Sequence, residues 1–280
     1  MLPKLVLLRK MPTNLLAQRC HRSTSNLQWR LRQALDPILA KPPALAFPDG
    51  ALVLVIDGVW SVFHGRCWVL YNMALKPVSS NRAWFLDPIV RPGRESVNNW
   101  EAALNTIPLE FAGRIKALVS DGVAGIALLA QRHGWPLQLC HRHLLAALSE
   151  RLGRWQRQRA TQQPGRGLRM AIFETLLTAD EGRATTLCQQ VLQLSQHPNC
   201  TVSLRRTARF FVRHQQAYRA YLLHPELRLP STTGALESMN RLLRQAIGTA
   251  NNPEALLRRA TAFLRLRKII TCNACPHQQK

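Results

Sequence analysis

The chain has 280 residues, enough for one substantial domain with an appendage or a large insertion, and 46% of them are hydrophobic. Nowhere do roughly 18 apolar residues run together, which excludes a membrane-spanning helix on length. Lys and Arg number 38 against 15 Asp and Glu, a formal net charge of +23. The expected partner is therefore a polyanion, because each phosphate neutralised releases counterions, and an Arg-rich mixture suits bidentate phosphate contacts. A ribosomal-type protein or a binder of anionic membranes would share this composition, so the spacing of motifs has to decide.

The opening MLPKLVLLRK is basic and then apolar, but its apolar run is shorter than the roughly 7–15 residues of a secretory signal. A cytoplasmic location is expected. The cysteines, at 20, 67, 140, 188, 200, 272 and 275, are odd in number and scattered, which argues for reduced thiols rather than a disulfide framework. Residues 14–36 read as two short helices broken at Arg22-Ser23, with Ser23, Thr24 or Ser25 as the cap. They suit either a partial helix-turn-helix, with Arg30 and Arg32 of the second helix on DNA, or a basic amphipathic helix packed on the main domain. Pro37, Pro42, Pro43 and Pro48 then deny helix and central strand, and 41–50 is read as a linker.

From Ala51 the pattern changes. ALVLVIDG is a continuous apolar run ending in Asp-Gly, as in a buried strand whose last side chain emerges at a sheet edge. CWVLYNMAL (67–75) and AWFLDPIV (83–90) follow as strands, SVNNWEAALNTIP (96–108) as a helix capped by Ser96, and RIKALVSDG (114–122) as a second strand ending in Asp-Gly. VAGIALLAQRHG reads as a helix closed by Gly134, and PLQLCHRHLL begins as a strand. Residues 146–229 are helical and basic without strand-like runs. STTGALESMNRLLRQAI carries Leu236, Met239, Leu242, Leu243 and Ile247 on one helix face, and PEALLRRATAFLRLRKII is a further basic amphipathic helix before a tail at 271–280.

Carboxylates are scarce, so their positions are informative. Asp57 and Asp121 each close an apolar strand before a Gly, and neighbouring strand ends with like charges call for a hard divalent cation between them. An Asp-Gly turn of no further consequence is the alternative for either one alone. Glu237 adds a third oxygen donor on a helix. Asp87, before a proline inside a strand, and Glu95, at a helix start, are assigned to structure.

The segments LVLVIDG, ALVSDG, CHRH and STTGALESMNRLLR, in that order and with a long helical stretch before the last, resemble the DDE transposases of the Mutator-like and related bacterial insertion-sequence groups over roughly residues 50–250. The resemblance implies an α/β fold of the ribonuclease-H type, a mixed sheet flanked by helices, at 51–145 and 230–270, with an all-helical insertion at 146–229. It implies two Mg²⁺ or Mn²⁺ ions held by Asp57, Asp121 and Glu237, cleavage at the ends of a transposable element and strand transfer into target DNA. Double-stranded DNA and a homo-oligomer on it are the implied partners, near the nucleoid. Cys140 and His143 match the family's Cys/Asp-x-x-His motif: His143 either acts on the scissile phosphate or packs. Asn240 fits the Glu-Ser-x-Asn pattern, and with Arg244 falls on the helix face of Glu237, where both are candidates for the DNA backbone. Trp155, set among charges, is a candidate for stacking on a base, whereas Trp100 and Trp135 are read as core. Cys272 and Cys275 with His277 make a lone CxxC that reads as a flexible terminus rather than a zinc site. A transposase-derived protein that only binds DNA, and a ribonuclease-H-like nuclease without strand transfer, are the competing functions.

Overall fold

The computed structural model describes residues 13–41, 45, 47–156, 162–248 and 250–272, with the backbone alone described at 13, 153–156 and 162–164. The elements begin with α1 (Thr13–Arg19), α2 (Thr24–Ala40), β1 (Leu52–Phe63), β2 (Arg66–Pro77), β3 (Arg82–Phe85) and β4 (Ile89–Pro92). α3 (Val97–Leu104), α4 (Leu109–Ala112), β5 (Ile115–Ser120), α5 (Ile126–Arg132) and β6 (Leu137–Leu139) follow. Then come α6 (His141–Gln156), α7 (Gln162–Leu177), α8 (Glu181–Ser195), α9 (Val202–Arg213) and α10 (Gln215–Leu223), before α11 (Gly234–Ile247), α12 (Pro253–Arg267) and β7 (Ile269–Thr271). The seven strands, parallel and antiparallel, and the helices beside them make a mixed α/β fold. No helix among the described residues is long and apolar enough to cross a membrane.

The chain divides into two compact units. One takes in the described residues up to Ile115, Val123–Gly125 and Gly234–Cys272; the other takes in Lys116–Gly122 and Ile126–Thr233. In the first unit, β1 and β2 form a long antiparallel hairpin of twelve residues a strand. His64 and Gly65 turn it with φ of 50° and 74°, the left-handed pair that matches the twist of the flanking strands. β4 and then β3 pair with β2, and β3 also pairs with β7. AWFLDPIV is thus two strands rather than one, interrupted where Asp87-Pro88 removes a backbone donor.

The apolar run does not end at Asp57-Gly58. β1 stays buried from Leu52 to Val59 and continues to Phe63 with alternating exposure, because β2 supplies ladder partners along its whole length. Gly58 serves a close approach rather than a turn: a Cβ there would lie 2.6 Å from Glu95 Oε2. Glu95 accepts the indole N–H of buried Trp100 at 2.8 Å, and Trp100 meets Tyr71 edge-on with ring centres 4.7 Å apart. Tyr71 is the cross-strand partner of Gly58, so one face of the hairpin is closed by a glutamate, a tryptophan and a tyrosine packed around a missing side chain.

Ser23 caps α2, accepting the Asn26 N–H at 3.2 Å. The helix runs through Pro37 to Ala40, past the end at 36 that Pro37 suggests and up to the start of the linker read at 41–50. Its last carbonyls explain the extension: Arg265 of α12 donates to Ile38 O at 3.0 Å and Leu39 O at 2.8 Å, and also to Lys41 O. An external cation thus satisfies groups that a helix end leaves open. The same guanidinium holds Asp87 through Nε at 2.9 Å and Nη2, which gives Asp87 a structural partner. The terminus also differs from expectation, since Thr271 lies in β7 and Cys272 is buried, its N–H donated to Asn81 O at 2.7 Å. Burial pushes the Cys272 thiol up to about 11. Cys275 and His277 fall outside the described residues.

In the second unit β5 and β6 are parallel, joined through α5, which Gly134 closes at φ 66°. α6 to α10 follow, with no strand among the described residues between them. Arg219 of α10 is fully buried and donates to Thr178 O at 2.8 Å, Gln215 Oε1 at 2.6 Å and Glu181 Oε2 at 3.2 Å, tying α10 to the start of α8.

Replacing Gly58 with Ala forces the Glu95 carboxylate off its position and leaves the buried Trp100 N–H without that acceptor. A loss of about 1–3 kcal/mol in unfolding free energy is expected in urea titration, and an unchanged midpoint would contradict the close-approach role.

Candidate functional site

Asp57 lies in β1 opposite Asn72 of β2, on the face that takes α11. Both are buried. From α11, Asn240 Nδ2 donates to Asp57 Oδ2 at 2.8 Å, and Asn72 Nδ2 donates to Asn240 Oδ1 at 2.7 Å. An ionised carboxylate only accepts, so Asp57 sets which way the Asn240 amide points, and Asn240 in turn sets Asn72. Asn72 Oδ1 is left buried with no hydrogen bond from a described residue. α11 docks on this pair with Leu236, Met239, Leu243, Ala246 and Ile247 buried. Glu237, half-buried, sits one turn before Asn240 on the same helix face, and Arg244 is exposed.

In the second unit Asp121 follows the last residue of β5. Ser120 Oγ donates to its Oδ1 at 3.3 Å and accepts the Gly122 N–H at 3.3 Å, while Gly122 turns the chain at φ 94°. Here Asp-Gly does close a strand. Cys140 is not on a strand: β6 stops at Leu139, and α6 begins at His141. The reason lies in the partners of this junction. The Cys140 N–H still bonds Ser120 O of β5 at 2.9 Å while its Sγ accepts the N–H and the hydroxyl of Thr233 at 3.3 and 3.2 Å, and it is the His141 N–H, bonded to Ser231 O at 3.0 Å, that leaves the ladder. His141 Nε2 lies 2.6 Å from Tyr218 O, a distance at which it donates, and burial holds its pKa below the usual histidine value.

His143 thus stands in the first turn of α6, and with Asp121 it lines an open groove of about 460 Å³. Arg151, Arg206, Phe210 and Tyr218 form its other walls. Arg151 donates to Thr207 Oγ1, which orients one guanidinium beside the groove. Arg206 is exposed. Burial first, and then the nearby Cys140 and Asp121, push the Tyr218 phenol well above its ordinary value, so it stays protonated and able to donate. The groove combines one carboxylate, one imidazole, two guanidiniums, a phenol and an exposed aromatic ring. That set can hold a phosphodiester by its oxygens and a base by its face.

Asp57 and Asn240 are brought into direct contact, and Asp121 and His143 line one groove. Arg30 is exposed on α2, and Arg32 lines a cleft against α12. The side chain of Trp155 lies outside the described residues. Trp100 is core, and Trp135 stacks on His133 with ring centres 4.2 Å apart. Sequence reasoning passed over Asn72, Arg151, Arg206 and Tyr218. Asn72 carried a signal, a single amide inside the apolar strand run VLYNMAL; the other three come from distant helices and had none. No family model matches the chain, and no curated protein matches it.

Truncating Asn240 to Ala leaves Asp57 Oδ2 and Asn72 Nδ2 buried without this partner. Unfolding free energy should fall by about 2–4 kcal/mol, the sum of two such losses. A drop below about 1 kcal/mol in chemical denaturation would show that the network does not hold α11.

Proposed function

We propose that the chain is a DNA transposase with a ribonuclease-H-like catalytic domain, which cleaves phosphodiester bonds at transposon ends and transfers the freed strand into target DNA. The observation that carries this reading is the Asp57–Asn240 bond: the helix that bears Glu237 is keyed to the strand that bears Asp57. The donor set suits divalent magnesium or manganese, since Asp57, Asp121 and Glu237 offer hard carboxylate oxygens. The buried, donor-free Oδ1 of Asn72 next to Asp57 fits the same need, as an acceptor for a cation or its water. Two bound ions would activate an attacking water or 3′-hydroxyl and stabilise the leaving oxygen.

The chain's own residues have distinct tasks in this reading. Asn240 fixes the carboxylate rotamer of Asp57, as outer partners of metal ligands do. Arg151 and Arg206 hold phosphate oxygens along the groove beside Asp121, and Tyr218, kept protonated, donates to a phosphate or sugar oxygen. His143 lines that groove and is suited to donate a hydrogen bond or a proton to a phosphate oxygen. Phe210, 42% exposed between Arg206 and Arg213, offers a face for a base. The net charge of +23 supports a nucleic-acid partner, and joining two ends calls for a homo-oligomer on DNA.

Asp57→Asn retains an oxygen for the Asn240 N–H but removes the anionic ligand. On DNA carrying the element's terminal sequences, the variant should bind as wild type does and lose Mg²⁺-dependent nicking by roughly 10³-fold or more, the scale of removing one member of a catalytic unit. Nicking by Asp57→Asn would contradict the assignment. Wild-type binding without cleavage would favour a non-catalytic DNA-binding protein, and cleavage without joined products a nuclease.

A further inference from the structure

α2 and α12 pack against each other in the first unit and enclose a cleft of about 240 Å³. Leu31, Leu35 and Ala255 line part of it, but its polar wall is charged: Gln28 and Arg32 come from α2, Asn252 from the cap of α12, and Glu254, Arg258 and Arg259 from α12 itself. Three guanidiniums therefore face one volume against a single lining carboxylate. Arg259 is only 7% exposed, and its charged form is disfavoured first by burial and then by the like charge of Arg32. Arg258 reaches out to Asp36 at the margin, which restrains its guanidinium. Bringing like charges together away from bulk water costs free energy, and an anion between them reverses the sign of that interaction.

The helix geometry adds to the same field. Asn252 caps α12, accepting the Ala255 N–H at 2.8 Å, so the positive end of a fifteen-residue helix is built into the cleft wall. Gln28 brings a side-chain amide. The volume accommodates a tetrahedral oxyanion with some of its water, and planar guanidiniums match its oxygens two at a time.

We propose that the α2/α12 cleft is a phosphate-binding site, with Arg32 and Arg258 gripping the anion at the entrance and Arg259 beneath it. The anion is a phosphodiester of the DNA backbone or free phosphate; both present the same oxygens. On DNA the site reads no base edges and sets how the duplex is held. It does not depend on metal-dependent cleavage, so its readouts are binding alone.

Arg259 is buried and its removal endangers the fold, so the test uses Arg32→Gln/Arg258→Gln, with Arg166→Gln/Arg169→Gln, two exposed arginines on α7, as the charge-matched control. Two quantities are measured: the Tm shift caused by inorganic phosphate against chloride at matched ionic strength, and affinity for a DNA duplex across a salt series. Wild type and control should be stabilised by phosphate through mass action, and the cleft variant should lose that gain. Its duplex affinity should fall several-fold beyond the control, with the salt slope reduced by about 1 relative to the control. Loss of duplex affinity, with or without a change in the phosphate effect, identifies the DNA backbone as the source. Loss of the phosphate effect alone identifies free phosphate. A cleft variant that matches the control in both readouts overturns the site.

Discussion

A carboxylate in the middle of a buried strand constrains everything packed over it. A buried carboxyl calls for a hydrogen-bonding partner, and Asn240 Nδ2 of α11 donates to Asp57 Oδ2 at 2.8 Å. That contact orients Asn240, whose carbonyl then orients Asn72 on the neighbouring strand. A hydrogen bond to a charged group contributes about 1.5–3 kcal/mol, and sliding α11 by one residue would replace Asn240 with Met239 or Arg241 at this point. Polar complementarity thus sets the register of the helix, while Leu236, Leu243 and Ile247 supply the burial that holds it down. The position of Glu237 follows from that register.

The opposite face of the same strand works by subtraction. Gly58 makes room for the Glu95 carboxylate, which takes the Trp100 indole, which packs on Tyr71. Alternation along β1 therefore places Asp57 against α11 and Gly58 beneath the residues around α3. Two adjacent residues, Asp and Gly, look like a turn in one dimension, yet each has a separate job on one side of a sheet.

Much was legible in the sequence because it rests on local rules. The buried run from Leu52, the caps Ser23 and Ser96, the Gly134 stop and the apolar face of α11 all follow from periodicity and turn chemistry, and all are present. The failures are those where a distant partner overrules local preference. Pro37 does not end α2 because Arg265, more than two hundred residues away in sequence, takes the helix's terminal carbonyls. The strand begun at PLQL does not run on through CHRH, because the Cys140 N–H still reaches β5 but the His141 N–H is taken by Ser231 O. β7 is three residues long and has no periodicity to detect, and pairing with β3 gives it a place. Among the candidate site residues, Asp57 and Asn240 were chosen from sequence and are bonded together, whereas Arg206 and Tyr218 join Asp121 only through the folding of α9 and α10.

The surplus of basic residues also takes shape as distinct surfaces. Arg151 and Arg206 face a groove beside Asp121, and Arg32, Arg258 and Arg259 face a cleft between α2 and α12. We propose Asp57 as a metal ligand oriented by Asn240, and a manganese-soaked crystal is the sharpest check on that role. Anomalous signal at coordination distance from the Asp57 carboxylate, lost in Asp57→Asn, is expected. Manganese bound elsewhere, with the Asp57 carboxylate uncoordinated at saturating metal, would contradict it.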